Sequence, residues 1–391
     1  MIKIEKEIFV ARIINGYTKF NSQSGVLPIE PNMVTEFKLD KKFVYKLNAK
    51  NSDVESLIKV HERLISEFLS KIPLNCAATA YVQKKSYLDF LEPHRNNYHF
   101  IRVDLKNFFH SISKTLISET FKEYFESTFL DENKKQNLLN SFINLVTYQV
   151  PDTSKNTTFA AKTILPMGFK TSPIISNIVF RKIDIIIEDY CSMNNIVYSR
   201  YADDLLFSSK TNSETIENPF SVIFGNEKIN KLSFIHSDRF INEISIIVKI
   251  SKFKLNIKKT IKGTSVISLN GYTIDGSNYS DKQGCIRISN KKTHIICKLI
   301  HELQQNRSPE VIMNKLYSFK VSEKYFSYRP VKNEHVERYC RDQLLNKLVG
   351  YRSYLISILK YNERYNCIDN DSIEKYQGII ENIESLALSI G

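Results

Sequence analysis

The spacing of apolar and polar side chains along this 391-residue chain predicts a mixture of helices and strands. Between residues 53 and 72 apolar side chains recur every three or four positions, which is the pattern of one buried helix face. Helices are also predicted over 113–130, 133–148 and 172–193, strand over 264–275, and helix over most of the chain beyond it. Only 11 Gly and 10 Pro interrupt the chain, so the elements should follow one another closely.

Two shorter runs of β-branched and aromatic residues predict strands that carry acidic side chains at an end. Residues 98–104 form one such run and close with Asp104. Residues 196–208 form two runs around a polar pair, which predicts a hairpin with Asp203 and Asp204 at its tip. A folded sheet would bring these three acids together despite their separation in sequence.

The chain is basic, with 55 Lys plus Arg against 42 Asp plus Glu and a formal net charge of +13. The segment 282–364 carries 17 Lys or Arg against seven Asp or Glu, and Tyr and Phe are frequent in it. Such a surface suits a phosphate backbone, with rings available for bases or sugars. The alternative is the solvated face of a lysine-rich protein, and charge alone leaves both open. The last 27 residues carry five acids and one Lys, so we expect them to turn away from nucleic acid.

Cysteine usage and hydropathy exclude two classes of protein. The six Cys are scattered, contain no Cys-x-x-Cys pair and follow no secretory signal, which predicts reduced thiols in a cytoplasmic protein. No window approaches the ~18 uninterrupted apolar residues of a membrane-spanning helix. A disulfide scaffold and a membrane protein are therefore not expected. At roughly 100 to 200 residues per domain, the length predicts two or three structural units.

Adjacent carboxylates on a tight turn are unfavourable unless positive charge compensates them. Like charges a few ångströms apart do not both stay ionised at low cost, and a pair of Mg²⁺ ions is the usual compensation in phosphoryl-transfer sites. Asp104, Asp203 and Asp204 therefore suggest two-metal catalysis. The alternative is that Asp203 and Asp204 form an ordinary surface turn.

Several motifs occur in the order and approximate spacing of a reverse transcriptase palm. They are ATAYVQKKSY around 79–87, IRVDLKNFFHSI (101–112), LPMGFKTSPIISNIVF (165–180), YADD (201–204), LNIKKT (255–260) and LNGYTIDG (269–276). In this combination the chain resembles bacterial reverse transcriptases, in particular the defence-associated, abortive-infection and retron-like group. The resemblance implies an α+β right-hand polymerase, with fingers and palm over 1–280 and a helical basic thumb with an acidic C-terminal segment over 281–391.

The resemblance also implies the metal ligands. Asp104, Asp203 and Asp204 would bind two Mg²⁺ ions, with the carbonyl of Leu105 as a further ligand. Phe109 falls where the family keeps an aromatic ring that crowds the 2′ position of the sugar, so deoxynucleotides are the expected substrate.

The remaining nucleotide contacts follow from the same motifs. Met167 and Gly168 would lie at the nascent base pair, where close approach of the loop requires a residue without Cβ. Lys84 and Lys85 are candidates for binding the triphosphate from the fingers. Lys259 resembles the lysine that protonates the leaving pyrophosphate, with solvated charge as the alternative and the preceding lysine as a second candidate.

The expected activity is RNA-directed DNA synthesis from a 3′-hydroxyl. The implied partners are an RNA template or noncoding RNA, deoxynucleoside triphosphates and the DNA product, and phage defence is implied by the resemblance alone. A partner protein or a homo-oligomer is left open. The alternatives are untemplated or protein-primed synthesis by the same fold, and a catalytically silent RNA-binding module. The silent module is disfavoured because it would not require three mutually repelling carboxylates.

Overall fold

The computed structural model describes residues 3–40, 42–49, 51–210, 233–277, 283–319 and 333–390. The strands are β1 (Phe20–Asn21), β2 (Gly25–Val26), β3 (Val34–Leu39), β4 (Lys42–Leu47), β5 (His99–Asp104), β6 (Tyr148–Gln149), β7 (Thr163–Ile164), β8 (Val197–Tyr201), β9 (Asp204–Ser209), β10 (Ile261–Thr264), β11 (Val266–Leu269), β12 (Tyr272–Asp275) and β13 (Cys285–Ile288).

The α-helices are α1 (Lys6–Ile8), α2 (Ser52–Arg63), α3 (Tyr87–Leu91), α4 (Lys114–Phe121), α5 (Leu138–Val146), α6 (Ser172–Met193), α7 (Asp238–Lys249), α8 (Asn290–Gln304), α9 (Pro309–Tyr317), α10 (Asn333–Tyr365) and α11 (Asn370–Ile390). Two π-helical segments (Phe9–Ile13 and Leu64–Phe68) and six 3₁₀ turns (Pro31–Met33, Leu69–Lys71, Glu92–His94, Lys122–Tyr124, Phe234–His236 and Ile257–Lys259) complete the helical content of the described ranges.

Most predicted elements are confirmed, and two predicted helices are too long. The helix predicted over 113–130 ends at Tyr124, and the one predicted over 133–148 begins only after Asn137, whose side chain caps α5. Between them the carboxylate of Asp131 accepts backbone N–H groups of the two residues that precede Asn137. Such local side-chain bonds compete with helix formation, which is why the apolar periodicity overestimated both lengths.

The chain forms two compact units, residues 1–90 with 101–262 and residues 91–100 with 263–391. The predicted domain boundary at 280/281 lies outside the described residues. In the first unit an aromatic cluster fills part of the core, where Phe68 lies 5.2 Å from Phe125 and Phe121 lies 4.9 Å from Phe142 between ring centroids. A four-stranded sheet has the order β10-β5-β9-β8.

The turn between β8 and β9 contains two residues. The predicted hairpin is present, but Ala202 and Asp203 form its tip instead of the predicted Asp203 and Asp204, because Asp204 pairs with Tyr201 and is the first residue of β9. Ala202 has φ of +55°, a left-handed conformation that glycine adopts more readily than alanine. Hairpin turns of two residues need such positive φ values to match the twist of their strands.

The second unit combines a small sheet with long helices. Strands β11, β12 and β13 form an antiparallel sheet, and a type I′ turn at Asn270 (φ +48°) and Gly271 (φ +91°) connects the first two. Helix α10 has 33 residues, about 50 Å at 1.5 Å per residue. Buried Glu302 on α8 forms ion pairs with Lys315 of α9 at 2.6 Å and with Arg307 at 2.8 Å. Among the helices that the structure describes, none has the length and apolar character needed to cross a bilayer.

Candidate active site

Three acidic residues meet at one edge of the four-stranded sheet. β5 ends at Asp104, and the neighbouring strand β9 begins at Asp204. Immediately beyond β5, the N–H of Leu105 donates to the carbonyl of Asp203 at 2.8 Å. The hydrophobic strands therefore bring residues about a hundred positions apart in the sequence to the same edge, as predicted.

Each of these carboxylates has its own basic partner. The pairs are Lys259 Nζ with Asp104 Oδ1 at 3.2 Å, Lys42 Nζ with Asp203 Oδ2 at 3.4 Å, and Arg102 Nη2 with Asp204 Oδ1 at 2.8 Å. The two lysine side chains are more than half exposed, whereas Arg102 is only 15% exposed. Both lysines thus lie in contact with solvent, whereas Arg102, Asp204 and Asp104 are largely shielded from it.

The protonation of Asp204 is perturbed by its surroundings. The pKa of Asp204 is raised to about 6, chiefly by burial; Arg102 acts in the opposite direction, and the charges of Asp203 and Asp104 contribute to the increase. Asp104 is anchored from two sides, since Asn256 Nδ2 donates to its Oδ2 at 3.2 Å and the Asn256 N–H donates to its carbonyl at 2.7 Å. Burial therefore disfavours the ionised form of Asp204, and Asn256 fixes the position of Asp104.

The chemistry of these donors suits a hard divalent cation. Carboxylate and carbonyl oxygens are the ligands that Mg²⁺ prefers in proteins, and the raised pKa of Asp204 indicates negative charge that a cation would relieve. In the part of the chain that the structure describes, no three His, Cys, Asp or Glu side chains are already grouped so that they would hold a metal ion. The carboxylates are instead oriented toward their basic partners.

A buried polar network lies beneath the YADD turn. Arg200 of β8 and Asp184 of α6 are fully buried and form a bidentate pair, with Nε–Oδ1 at 2.8 Å and Nη2–Oδ2 at 2.7 Å. Tyr198 donates its hydroxyl to Asp184 at 2.8 Å. Arg200 Nη1 donates to Asn177 Oδ1 at 3.0 Å and to the carbonyl of Ala202 at 3.2 Å. The guanidinium therefore connects the long helix directly to the residue with positive φ.

Phe109 contacts two other aromatic rings. Its ring is 5.4 Å from that of Phe108 and 6.2 Å from that of Tyr81, and only 9% of Phe109 is exposed. Tyr81 belongs to the ATAYVQKKSY motif, and burial together with the charge of Asp203 raises the pKa of its hydroxyl. Two of the sequence motifs thus contact each other through these rings.

Met167 and Gly168 contact the β3–β4 hairpin. The carbonyl of Met167 accepts the Tyr45 N–H at 2.8 Å, and its N–H donates to His110 Nε2 at 3.4 Å. A Cβ on Gly168, which has φ of +117°, would lie 2.6 Å from the carbonyl oxygen of Tyr45. The missing Cβ is therefore required by packing of strand β4, a reason that the sequence did not indicate.

The two fingers lysines have different surroundings. Lys85 Nζ donates to the carbonyls of Cys76 at 2.9 Å and Ala78 at 3.4 Å, so it supports its own loop. Lys84 is exposed and has φ of +64°. Their predicted role in triphosphate binding stays a prediction.

Lys42, Arg102 and the Arg200–Asp184 pair were missed from the sequence. Arg102 precedes Asp104 by two positions, and residues i and i+2 of a strand share a face, which is a signal for a partner of the acids. Arg200 is a charged residue within a β-type run, which signals a buried counter-charge. Nothing in the sequence around Lys42 indicates that it contacts an acid.

An acid-bearing hairpin on a sheet edge, beside a strand that ends in a third acid, is the arrangement of the palm in right-hand polymerases. The chain matches the family "Reverse transcriptase (RNA-dependent DNA polymerase)" over residues 45–274, more than half of its length. It belongs to this family, and its fold is that of an α+β right-hand polymerase.

Relatives include retron reverse transcriptases of Escherichia coli. The chain is 36% identical to the retron Ec83 enzyme over 153 residues, which cover 39% of this chain and 46% of that protein. It is 31% identical to the retron Ec73 enzyme over 152 residues, 37% of this chain and 44% of that protein. The match thus spans less than half the length of these relatives. Among solved structures, apo telomerase from Candida tropicalis aligns with a TM-score of 0.36 and 11% identity, over 68% of this chain and 56% of that one.

Proposed function

We propose that this chain is a cytoplasmic RNA-directed DNA polymerase, which adds deoxynucleotides to a 3′-hydroxyl with the help of two Mg²⁺ ions. The observation that carries the proposal is the convergence of Asp104, Asp203 and Asp204 at one sheet edge, joined by the 2.8 Å hydrogen bond from Leu105 to Asp203. Three carboxylates at one sheet edge are expected where a cation-assisted phosphoryl transfer takes place.

The three aspartates, with the carbonyl of Leu105, would hold the two metal ions. When bound, such ions lower the pKa of the attacking hydroxyl and neutralise charge on the triphosphate. Within the chain itself, Arg102 holds Asp204 from the side of β5, and Asn256 holds Asp104. The ligands are therefore supported by the strands before any ion arrives.

The nucleotide would be bound between the β3–β4 hairpin and the palm. Lys42, 3.4 Å from Asp203, supplies a fingers cation that is free to move to a triphosphate because it is more than half exposed. Lys259, 3.2 Å from Asp104, would donate a proton to the leaving pyrophosphate. Phe109 would crowd a ribose 2′-hydroxyl, and Met167 with Gly168 would border the nascent base pair.

The proposal also includes the domains of the chain and its nucleic-acid partners. We assign residues 1–280 to fingers and palm and 281–391 to a thumb that binds the template–product duplex, supported by the excess of basic residues over 282–364. An RNA template or noncoding RNA and the DNA product are the proposed nucleic-acid partners. A role in phage defence rests on the resemblance to defence-associated enzymes.

The test is incorporation of labelled deoxynucleotides by purified protein with co-purifying RNA and Mg²⁺, followed by sequencing of the product. Asp203→Asn with Asp204→Asn should abolish synthesis and leave RNA binding nearly intact. Asp189→Asn, an exposed acid on α6, is the matched control and should retain activity.

The product distinguishes the alternatives. DNA complementary to the bound RNA supports the proposal and names the template. Homopolymeric or protein-linked DNA would instead indicate untemplated or protein-primed synthesis. RNA binding without any product, under conditions in which the control variant is folded, would favour the silent module.

A further inference from the structure

Tyr81 is held in a conformation that a bulky residue seldom adopts. Its φ is +60°, in the left-handed region, and its side chain remains 49% exposed. Positive φ is uncommon outside glycine and is a genuine outlier for bulky residues. Such strain persists only where the surroundings fix the backbone, and it concentrates at functional sites.

The backbone on the N-terminal side of Tyr81 is fixed by hydrogen bonds from three directions. The N–H and the hydroxyl of Thr79 donate to the carbonyl of Arg200 at 2.9 and 3.0 Å. Asn177 Nδ2 donates to the carbonyl of Ala80 at 2.8 Å. Lys85 Nζ donates to the carbonyl of Ala78 at 3.4 Å. The loop is therefore anchored to the same network that supports the YADD turn.

The ring of this strained residue contacts Phe109. The centroids of the Tyr81 and Phe109 rings lie 6.2 Å apart with an interplanar angle of 59°, and Phe108 contacts the Phe109 ring at 5.4 Å. Rings at these distances and tilts attract each other. Tyr81, which is half exposed, thus restricts the position of the buried Phe109 ring.

We infer that Tyr81 is a positioning residue for sugar selection, because its ring holds Phe109 where that side chain excludes a ribose 2′-hydroxyl. The inference rests on the proposed role of Phe109. A Phe109 ring without this neighbour gains freedom to move away from a ribonucleotide, while a deoxynucleotide loses nothing. The effect is therefore on discrimination and not on synthesis itself.

The experiment measures kcat/KM for a deoxynucleotide and the matching ribonucleotide in single-nucleotide addition. Tyr81→Asn removes the ring and keeps a residue that tolerates positive φ, so the loop is not strained further. We expect the ratio of deoxynucleotide to ribonucleotide efficiency to fall about five- to tenfold, as suits the loss of one aromatic contact. Tyr81→Phe should retain the ratio, and so should Gln83→Ala, an exposed position in the same loop.

A double-variant cycle separates this inference from the role of Phe109. Phe109→Ala should reduce the ratio more than Tyr81→Asn, and combining the two should add little, because Tyr81 acts through Phe109. An unchanged ratio in Tyr81→Asn, or full additivity, would overturn the inference alone. An unchanged ratio in Phe109→Ala would overturn the proposed role of Phe109 and, with it, the inference. The absence of incorporation by the unaltered chain would overturn both as well.

Discussion

The buried pair of Asp184 and Arg200 offers the sharpest test of how the YADD turn is supported. In Asp184→Asn an amide replaces the carboxylate that accepts Arg200 Nε at 2.8 Å and Nη2 at 2.7 Å. Amide N–H groups then compete with guanidinium N–H groups, and Arg200 keeps its charge where both side chains are 0% exposed. Removing one partner of a buried pair costs about 3–5 kcal/mol.

The hydrogen bonds that Arg200 keeps in this variant narrow the expected loss of stability. Arg200 Nη1 would still donate to Asn177 Oδ1 and to the carbonyl of Ala202, so part of the guanidinium remains satisfied. We therefore expect the free energy of unfolding to fall by about 3–4 kcal/mol, the lower half of the range for broken buried pairs. For a unit of this size the corresponding decrease in Tm is about 10 °C.

Urea unfolding followed by far-UV circular dichroism measures the loss, and an unchanged m-value shows that the compactness of both states is preserved. Asp189→Asn on the same helix, at an exposed position, should stay within about 0.5 kcal/mol of the parent. Replacing both partners, Asp184→Leu with Arg200→Met, should recover much of the stability, because no charge is left buried. A loss below about 1 kcal/mol in Asp184→Asn would refute the reasoning, since it would mean that the pair is not desolvated.

Three further outcomes follow from the site. Burial lowers the pKa of His61 and His110 to about 4, below their ordinary 6.5. The contribution of these neutral imidazoles to stability should therefore be full above pH 6.5 and should decline as the pH falls toward 4. The urea midpoint of His61→Gln should depend less on pH than that of the parent, and an unchanged pH dependence would contradict this. Gly168→Ala should lower Tm, because its Cβ would lie 2.6 Å from the Tyr45 carbonyl oxygen, and an unaltered melting curve would count against that packing. Lys42→Ala should raise KM for deoxynucleotides about tenfold with little change in kcat, because a charge-assisted contact to phosphate is lost. Steady-state kinetics measure KM, and an unchanged value would remove Lys42 from the proposed triphosphate site.

The acids were predictable because each lies at the end of a strand or in a turn that its neighbours in sequence define. A strand ending in Asp104 and a two-residue turn carrying Asp203 follow from β-type runs and from the register of one hairpin. Backbone pairing within one sheet brings the strand and the turn together, and such pairing is expected once both runs are predicted to be strands. The lengths of α4 and α5 were less predictable, since the Asp131 loop depends on side-chain bonds to nearby N–H groups that leave no periodic signal.

The pairing of Lys42 with Asp203 and of Lys259 with Asp104 was not predictable, because it depends on the folded chain. Lys42 and Asp203 are separated by 161 residues, and Lys259 and Asp104 by 155, and long flexible side chains form these contacts. A lysine near a motif is as compatible with solvent as with a carboxylate until the fold is known. Gly168 illustrates the same limit, because the residue type was singled out correctly while the atom that excludes a Cβ, the Tyr45 carbonyl oxygen, belongs to a hairpin over a hundred positions away.

The three ion pairs also differ in how easily they would yield to a ligand. The pair of Lys42 and Asp203 is the most exposed and is worth about 0–1 kcal/mol, so a divalent cation or a triphosphate would displace Lys42 at little cost. The side chain of Asp104 is only 6% exposed and also accepts a hydrogen bond from Asn256. Arg102 and Asp204 are only 15% and 10% exposed, and Arg102 Nη1 also donates to the carbonyl of Lys259 at 3.1 Å, so this pair is retained more strongly. The chain alone therefore distinguishes its acids, with Asp104 and Asp204 held in place and Asp203 open to exchange.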